Sequence, residues 1–303
     1  MAGTTLHKPD ARQRTIGVIG LGLMGGAMAG NLVAGGWRVI GYDIDAKAMA
    51  AARQKGIEVV ESAAAVAAAA SDIITSLPSA RAAIATAETI ARAAPAPVVV
   101  LEMSTLSLED KQAFAAVLAA KGHTALDCPV SGTGAQAQAK DLVVYASGSS
   151  SEIERLGPLF LGLGRKYFNL GAYGNATKMK FVANLLVAIH NVASAEAMVL
   201  GMKAGLAPQQ IVEVIAAGAG TSRVFELRAP LMAANRYEPA SMRCSVWQKD
   251  MAVIGAFAAS LDCPTPLFSA TEPIYRSGLE RGLGAHDTAS VCAVLEDMAG
   301  ITR

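Results

Sequence analysis

The segment TIGVIGLGLMGG places Gly20, Gly22 and Gly25 in a G-x-G-x-x-G pattern directly after a short apolar run. That spacing has chemical meaning. A glycine at the first position permits a tight turn, and one at the second lets backbone approach a pyrophosphate. One at the third lets the following helix pack closely on the strand, with a diphosphate at the helix's positive end. Asp43 ends the next apolar run, 23 residues after Gly20. A carboxylate there can accept both ribose hydroxyls of an adenosine and repels a 2′-phosphate. No arginine stands at positions 43 to 46 to neutralise such a phosphate, so NAD is favoured over NADP. Taken alone the glycines also fit a purely structural turn; the strand before, the helix after and the acid beyond argue for the dinucleotide.

Hydride leaves a carbinol carbon only as its hydroxyl proton is removed, which requires a base within hydrogen-bonding reach. His7, His123, His190 and His286 fall in no interpretable motif. Lys180, Asn184 and Asn191 are spaced by four and seven, which puts them on one face of a helix. A lysine among apolar walls loses basicity by desolvation and can act as a base near neutral pH. The spacing equally fits Lys178 and Lys180 solvating an exposed helix end. Cys128 has no visible basic partner to make its thiol reactive, so it reads as a small buried residue.

The elements that must position these groups follow from the pattern. Compact apolar runs at 15–20, 38–43, 72–77, 97–103, 124–127 and 142–148 alternate with alanine-rich helical stretches. Repetition of strand and helix implies a mostly parallel sheet with helices on both faces, and runs such as VVVL suit strands buried on both sides. After Gly171 the pattern changes. Asn175 to Gly205 reads as one helix of roughly 45 Å, long enough to bridge two lobes. Pro208 then suits a helix's first position, and 208–217, 221–234, 245–260, 267–281 and 287–299 are all helical in pattern. The expected fold is α/β: an N-terminal Rossmann-type parallel sheet over 14–170, then a long interdomain helix and an all-helical domain over 171–303.

Composition narrows the function classes. The 303 residues are 52% hydrophobic and 17% charged, which excludes disorder as the general state. A net charge of +1 offers no electrostatic footprint for nucleic acid or an anionic membrane surface. Four widely separated cysteines form neither a disulfide framework nor a metal site, and suit a cytoplasmic, reducing compartment. The first fourteen residues lack the apolar stretch of a signal peptide and read as a tail. Mean hydropathy is +0.37. The best membrane candidate, Phe181 to Leu200, contains five polar residues and is too costly as a lipid-facing span.

Four separated segments resemble the β-hydroxyacid dehydrogenase family, which includes 3-hydroxyisobutyrate dehydrogenases and tartronate semialdehyde reductases. GLGLMGGAMAGNL (20–32) is similar to its cofactor motif, and DCPVSGTGAQAQAKDL (127–142) to its substrate-binding segment. GAYGNATKMKFVAN (171–184) is similar to its catalytic pattern, and WQKDM (247–251) to a later Lys-Asp element. Thr133, Lys140 and Ala176 depart from glycines of the family pattern. Thr133 puts substrate identity in question more than reaction type. GTSRVFELRAPLM (220–232) is more loosely similar to the L-threonate dehydrogenase branch.

The resemblance implies Lys180 as general acid/base and Asn184 as the residue orienting substrate. It implies Ser131, Gly132 and Thr133 at the substrate carboxylate. Around the cofactor it implies the glycine turn with Leu23 and Met24, Leu77 and Pro78 along its length, Thr105 near the nicotinamide, and Lys249. Asp287 would help close the site. The partner would be a small 3-hydroxy acid or semialdehyde, with no metal, and the protein a homodimer or homotetramer. Two alternatives remain at this point: an imine reductase on the same scaffold, and a non-catalytic dinucleotide-binding scaffold. Retention of Lys180 weighs against both.

Overall fold

A computed structural model describes residues 15–303, so the expected tail and His7 lie outside the described residues. Strands and helices alternate as β1 (Thr15–Ile19), α1 (Leu23–Ala34), β2 (Arg38–Tyr42), α2 (Ala46–Gln54), β3 (Glu58–Val59) and α3 (Ala63–Ala69). They continue as β4 (Asp72–Thr75), α4 (Ala80–Ala93), β5 (Val99–Glu102), α5 (Leu108–Ala119) and β6 (Thr124–Asp127). The six strands form one sheet in the order β3-β2-β1-β4-β5-β6, and every pairing is parallel.

Successive residues of the central strands point into two different cores. Ile74 and Leu101 join Ile16, Val18 and Leu126 on one face, while Ile73 and Val100 join Ile19 and Ile40 on the other. This is why these runs lack alternation, and each such side chain contributes about 1.5–3 kcal/mol by burial. The helices α2, α3, α4 and α5 each open on a side-chain cap, from Asp45, Ser62, Ser79 and Ser107 respectively.

A second, three-stranded sheet follows. It is built from β7 (Val130–Ser131), β8 (Val143–Ala146) and β9 (Lys166–Asn169), with α6 (Gly134–Gln138), α7 (Ser150–Arg155) and α8 (Gly157–Leu163) between them. β7 pairs antiparallel with β8, and β8 parallel with β9. The sequence pattern shows β8 only; β7 is two residues long and β9 is largely exposed, so neither carries an apolar run.

The rest is helical: α9 (Asn175–Lys203), α10 (Pro208–Ala216), α11 (Arg223–Ala233), α12 (Cys244–Ser260), α13 (Pro266–Glu280) and α14 (Val291–Met298). Contacts divide the chain into two compact units, through Lys180 and from Phe181. Among the described residues α9 is long and apolar enough to cross a membrane. Ala188, Val192, Ala195 and Met198 of α9 nevertheless lie in the helical unit's core, with Phe225, Trp247 and Tyr275.

Candidate active site

In the first unit the glycine turn has the geometry its spacing requires. Gly20 has φ +93°, and a Cβ there would overlap the Ser76 carbonyl. A Cβ on Gly25 would overlap the Gly20 carbonyl oxygen, whereas one on Gly22 would meet nothing within 4 Å. The first and third glycines are thus required by the fold itself, and the second leaves open space. α1 opens on Gly22 with no side-chain cap, unlike the four helices that follow, and has no acid in its first turn. Its first N–H groups are those an anion would satisfy.

Asp43 stands beside this turn. Its Oδ2 accepts the Leu21 N–H at 2.7 Å and its Oδ1 the Asp45 N–H at 2.8 Å. A carboxylate has about four acceptor sites, so capacity remains for two hydroxyls. Gly22 and Leu23 are exposed, Met24 half-buried, and the Leu23 side chain lies against Gly134. An open approach, a free helix terminus and a ribose-competent acid together fit a dinucleotide.

The segment expected to bind substrate is joined to the same helix. Asn31 Nδ2 donates to the Ala137 carbonyl at 2.7 Å, tying α1 to α6. Ser131, Gly132 and Thr133 are half-buried, and Gly132 has φ +137°, a conformation that favours glycine. The Thr133 N–H donates to Gln136 Oε1 at 3.0 Å, and Gln136 Nε2 to Asp141 Oδ2 at 3.2 Å. That amide is therefore already engaged. Leu77 is half-buried and Pro78 exposed just after β4. The Leu77 N–H donates to Ser104 Oγ at 2.8 Å, and half-buried Thr105 follows that serine.

Beneath these loops lies a buried ionic cluster that sequence reasoning missed. Glu102 and Asp127 end adjacent strands β5 and β6 as register partners, and both are fully buried. Two carboxylates so placed repel one another, and Lys111 from α5 stands between them. Its Nζ pairs with Glu102 and lies 3.0 Å from Asp127 Oδ1. Burial opposes the ammonium, but Glu102 and Asp127 outweigh it and raise the Lys111 pKa above the ordinary lysine value. Asp127 Oδ2 accepts the Thr177 N–H at 2.8 Å, and Oδ1 the Thr177 hydroxyl at 2.8 Å. Ser147 donates to Asp127 Oδ2 at 3.2 Å, and its oxygen accepts the Ala176 N–H at 3.0 Å.

The first turn of α9, which carries Lys180 three residues after Thr177, is thereby capped from the sheet. Tyr173 completes the arrangement by donating to the Lys111 carbonyl at 2.9 Å. Cys128 is fully buried; burial first, then the negative charges of Asp127 and Glu102, push its thiol pKa well up. The opposing pull of Lys111 does not offset these, and Cys128 serves as a buried packing residue.

Lys180 is buried at the end of the first unit, and Asn184 lies one turn further along α9. In the helical unit Asn184 Nδ2 donates to Asp250 Oδ2 at 3.0 Å. Neighbouring Lys249 is half-buried on α12, its Nζ 3.8 Å from Asp250 Oδ1. Two further polar residues of this unit are enclosed. Asn191 keeps the helical spacing from Asn184 but is fully buried, and it donates to the Tyr275 hydroxyl at 2.9 Å and to the Thr288 carbonyl at 2.8 Å.

Asp287, which the resemblance placed near the closing of the site, is likewise enclosed in the helical unit. It is fully buried against Arg228 at 3.1 Å and accepts from the Ser241 hydroxyl and N–H, the Met242 N–H and the Ala289 N–H. Burial alone would raise its pKa, but Arg228 and these donors prevail and lower it. The loop 236–243 needs an anion to gather its donors, and Asp287 supplies it. Among the described residues no group of histidines, cysteines and acids could hold a metal.

The parallel sheet, the uncapped helix behind its glycine turn and Asp43 define a nicotinamide-dinucleotide-binding oxidoreductase. Residues 15–171 match the family model described as the NAD binding domain of 6-phosphogluconate dehydrogenase. Residues 174–295 match that described as NAD-binding of NADP-dependent 3-hydroxyisobutyrate dehydrogenase. The chain is 31% identical to 2-(hydroxymethyl)glutarate dehydrogenase of Eubacterium barkeri, over 95% of this chain and 96% of that protein. It is 30% identical to L-threonate dehydrogenase of Escherichia coli K12, over 95% of each. The solved structure of Mycobacterium tuberculosis 3-hydroxyisobutyrate dehydrogenase with L-serine superposes with TM-score 0.83 at 29% identity, covering 93% of this chain and 99% of that one.

The chain belongs to the β-hydroxyacid dehydrogenase family, and is an oxidoreductase acting on CH–OH donors. Solved imine reductases are more distant in sequence and share the fold alone.

Proposed function

We propose that this enzyme interconverts a small 3-hydroxy acid and its semialdehyde or keto form, using NAD in preference to NADP, with Lys180 as general acid/base. The observation that carries the reading is the capped start of α9, which brings buried Lys180 out of the same block that holds the Leu77 loop. A bound nicotinamide supplies the hydride acceptor for oxidation and the donor for reduction. Asp43 binds the adenosine ribose, and the first N–H groups of α1 bind the diphosphate. Ser131 hydroxyl and Gly132 N–H take the substrate carboxylate, since the Thr133 N–H is already given to Gln136. Neutral Lys180 accepts the hydroxyl proton in oxidation, and its ammonium form returns it in reduction. Asn184, oriented by Asp250, fixes the substrate beside that amine.

The substrates in the relatives' names support the choice of acid: each carries a carboxylate and a hydroxyl beyond the α-carbon. A homodimer or homotetramer is part of the proposal. It is supported by an apolar series on α9 in which Val182, Leu186 and Leu200 are 55%, 47% and 73% exposed. Four free thiols suit a cytoplasmic setting. The direct test offers 3-hydroxyisobutyrate, L-serine, D-glycerate, 4-hydroxybutyrate and L-threonate with NAD, followed by NADH absorbance. Turnover of at least one acid is expected; silence across the panel contradicts the assignment.

A further inference from the structure

Replacing a buried charge cluster by well-packed apolar residues is often neutral or stabilising, so stability alone is a weak reason to keep one. The connections of Glu102, Lys111 and Asp127 offer another reason. On one side Glu102 Oε1 accepts the Ser104 N–H at 2.9 Å, and Ser104 Oγ holds the Leu77 N–H. On the other side Asp127 holds both the N–H and the hydroxyl of Thr177. Lys111 joins the two carboxylates and also donates to the Glu102 carbonyl at 3.1 Å. Two carboxylates and one ammonium leave a net charge of −1, which faces the positive end of α9.

We propose that Asp127 is a positioning residue for the proton-transfer lysine. Through Thr177 it fixes the first turn of α9, and through Lys111 and Glu102 it sets that turn against the loop bearing Leu77. The proposal rests on the reading of Lys180 given above. Lys180 follows Thr177 by three residues, so a shift of the first turn carries the lysine backbone with it. Misplacement by about 1 Å can cost about a hundredfold in rate. Asp127→Asn keeps the shape of the side chain but removes its charge. It also removes one of the two oxygens that Thr177 and Ser147 share, turning an acceptor into a donor aimed at another donor.

The test is a double-mutant cycle on the full chain, with the best-turned-over acid of the panel above and NADH fluorescence for cofactor affinity. Asp127→Asn is expected to lower kcat by at least about tenfold while NADH affinity stays within about twofold. In the Lys180→Ala background the same change is expected to cost nothing further, because Asp127 acts through that lysine. An undiminished effect in that background overturns the proposal, as does a kcat unchanged by Asp127→Asn.

If Lys180→Ala itself keeps its turnover, the lysine reading fails and this proposal falls with it; an inert Lys180→Ala beside a fast Asp127→Asn sinks the positioning role alone. Should Asp127→Asn not fold, Thr177→Val and Thr177→Ser carry the question. A slowed valine variant and recovery in serine support the role, and equal rates in the two overturn it.

Discussion

The carboxylate of Asp43 accepts the backbone N–H of Leu21 at 2.7 Å, joining the end of β2 to the glycine turn that follows β1. The acid that would read the ribose is thus held by the turn that would receive the diphosphate. Asp43→Asn keeps the side-chain shape and removes the charge that repels a 2′-phosphate. The ratio of kcat/KM with NAD to that with NADP is expected to fall at least about tenfold, equivalent to about 1.4 kcal/mol. An unchanged ratio contradicts the ribose contact.

Gly22 and Gly25 separate cofactor binding from folding. Gly22 has φ −62°, and an added methyl meets open space. Gly22→Ala is expected to change unfolding free energy by less than about 0.5 kcal/mol while weakening NADH binding at least about tenfold. In Gly25→Ala the methyl overlaps the Gly20 carbonyl, and a loss of about 1–3 kcal/mol is expected. Urea unfolding and NADH fluorescence titration on the two variants check the contrast; similar behaviour of both would count against these roles.

Asn184 depends on Asp250 for its orientation. In Asp250→Ala the carboxamide loses its acceptor, and substrate kcat/KM is expected to drop about tenfold, with NADH affinity within about twofold. Steady-state kinetics with fluorescence titration reads both quantities. A parallel loss of NADH affinity would indicate a general disturbance of the helical unit.

Asp287 and Arg228 give the helical unit an acid-sensitive anchor. Because the folded-state pKa of Asp287 is lowered, its contribution is complete above the unfolded carboxylate's pKa of about 3.9 and is lost as pH falls through the folded value. At neutral pH, Asp287→Asn is expected to cost about 3–5 kcal/mol, the usual range for breaking a buried pair. The gap between parent and variant should begin to narrow below about pH 3.9 and close only as pH falls through the lower folded value. A gap that stays constant between pH 7 and pH 3 in chemical unfolding would show that the carboxylate charge plays no part.

Much of this architecture was legible because it is local. β1, the glycine turn and Asp43 lie within the 29 residues 15–43 and carry their own spacing. α9 announced itself by length, and Pro208 marked the next helix at its first position. The ionic cluster was not legible for the opposite reason. Glu102, Lys111 and Asp127 meet only because β5 and β6 pair with those two acids in register.

One signal was available in principle: Lys111 sits with Phe114 and Leu118 on the buried face of α5, where a lysine needs a partner. The burial of Asn191 and Asp287 was not legible, because helical spacing and family position say nothing about it. One faces the Tyr275 hydroxyl and the other is enclosed by loop donors.

Proton transfer rests on a single nitrogen, and Lys180→Ala tests it most directly. NADH affinity measured by fluorescence is expected to remain within about twofold of the parent, while kcat with the preferred acid falls at least about a hundredfold, the usual general acid–base contribution. Near-parental turnover in that variant would contradict the mechanism, whatever the glycine turn binds.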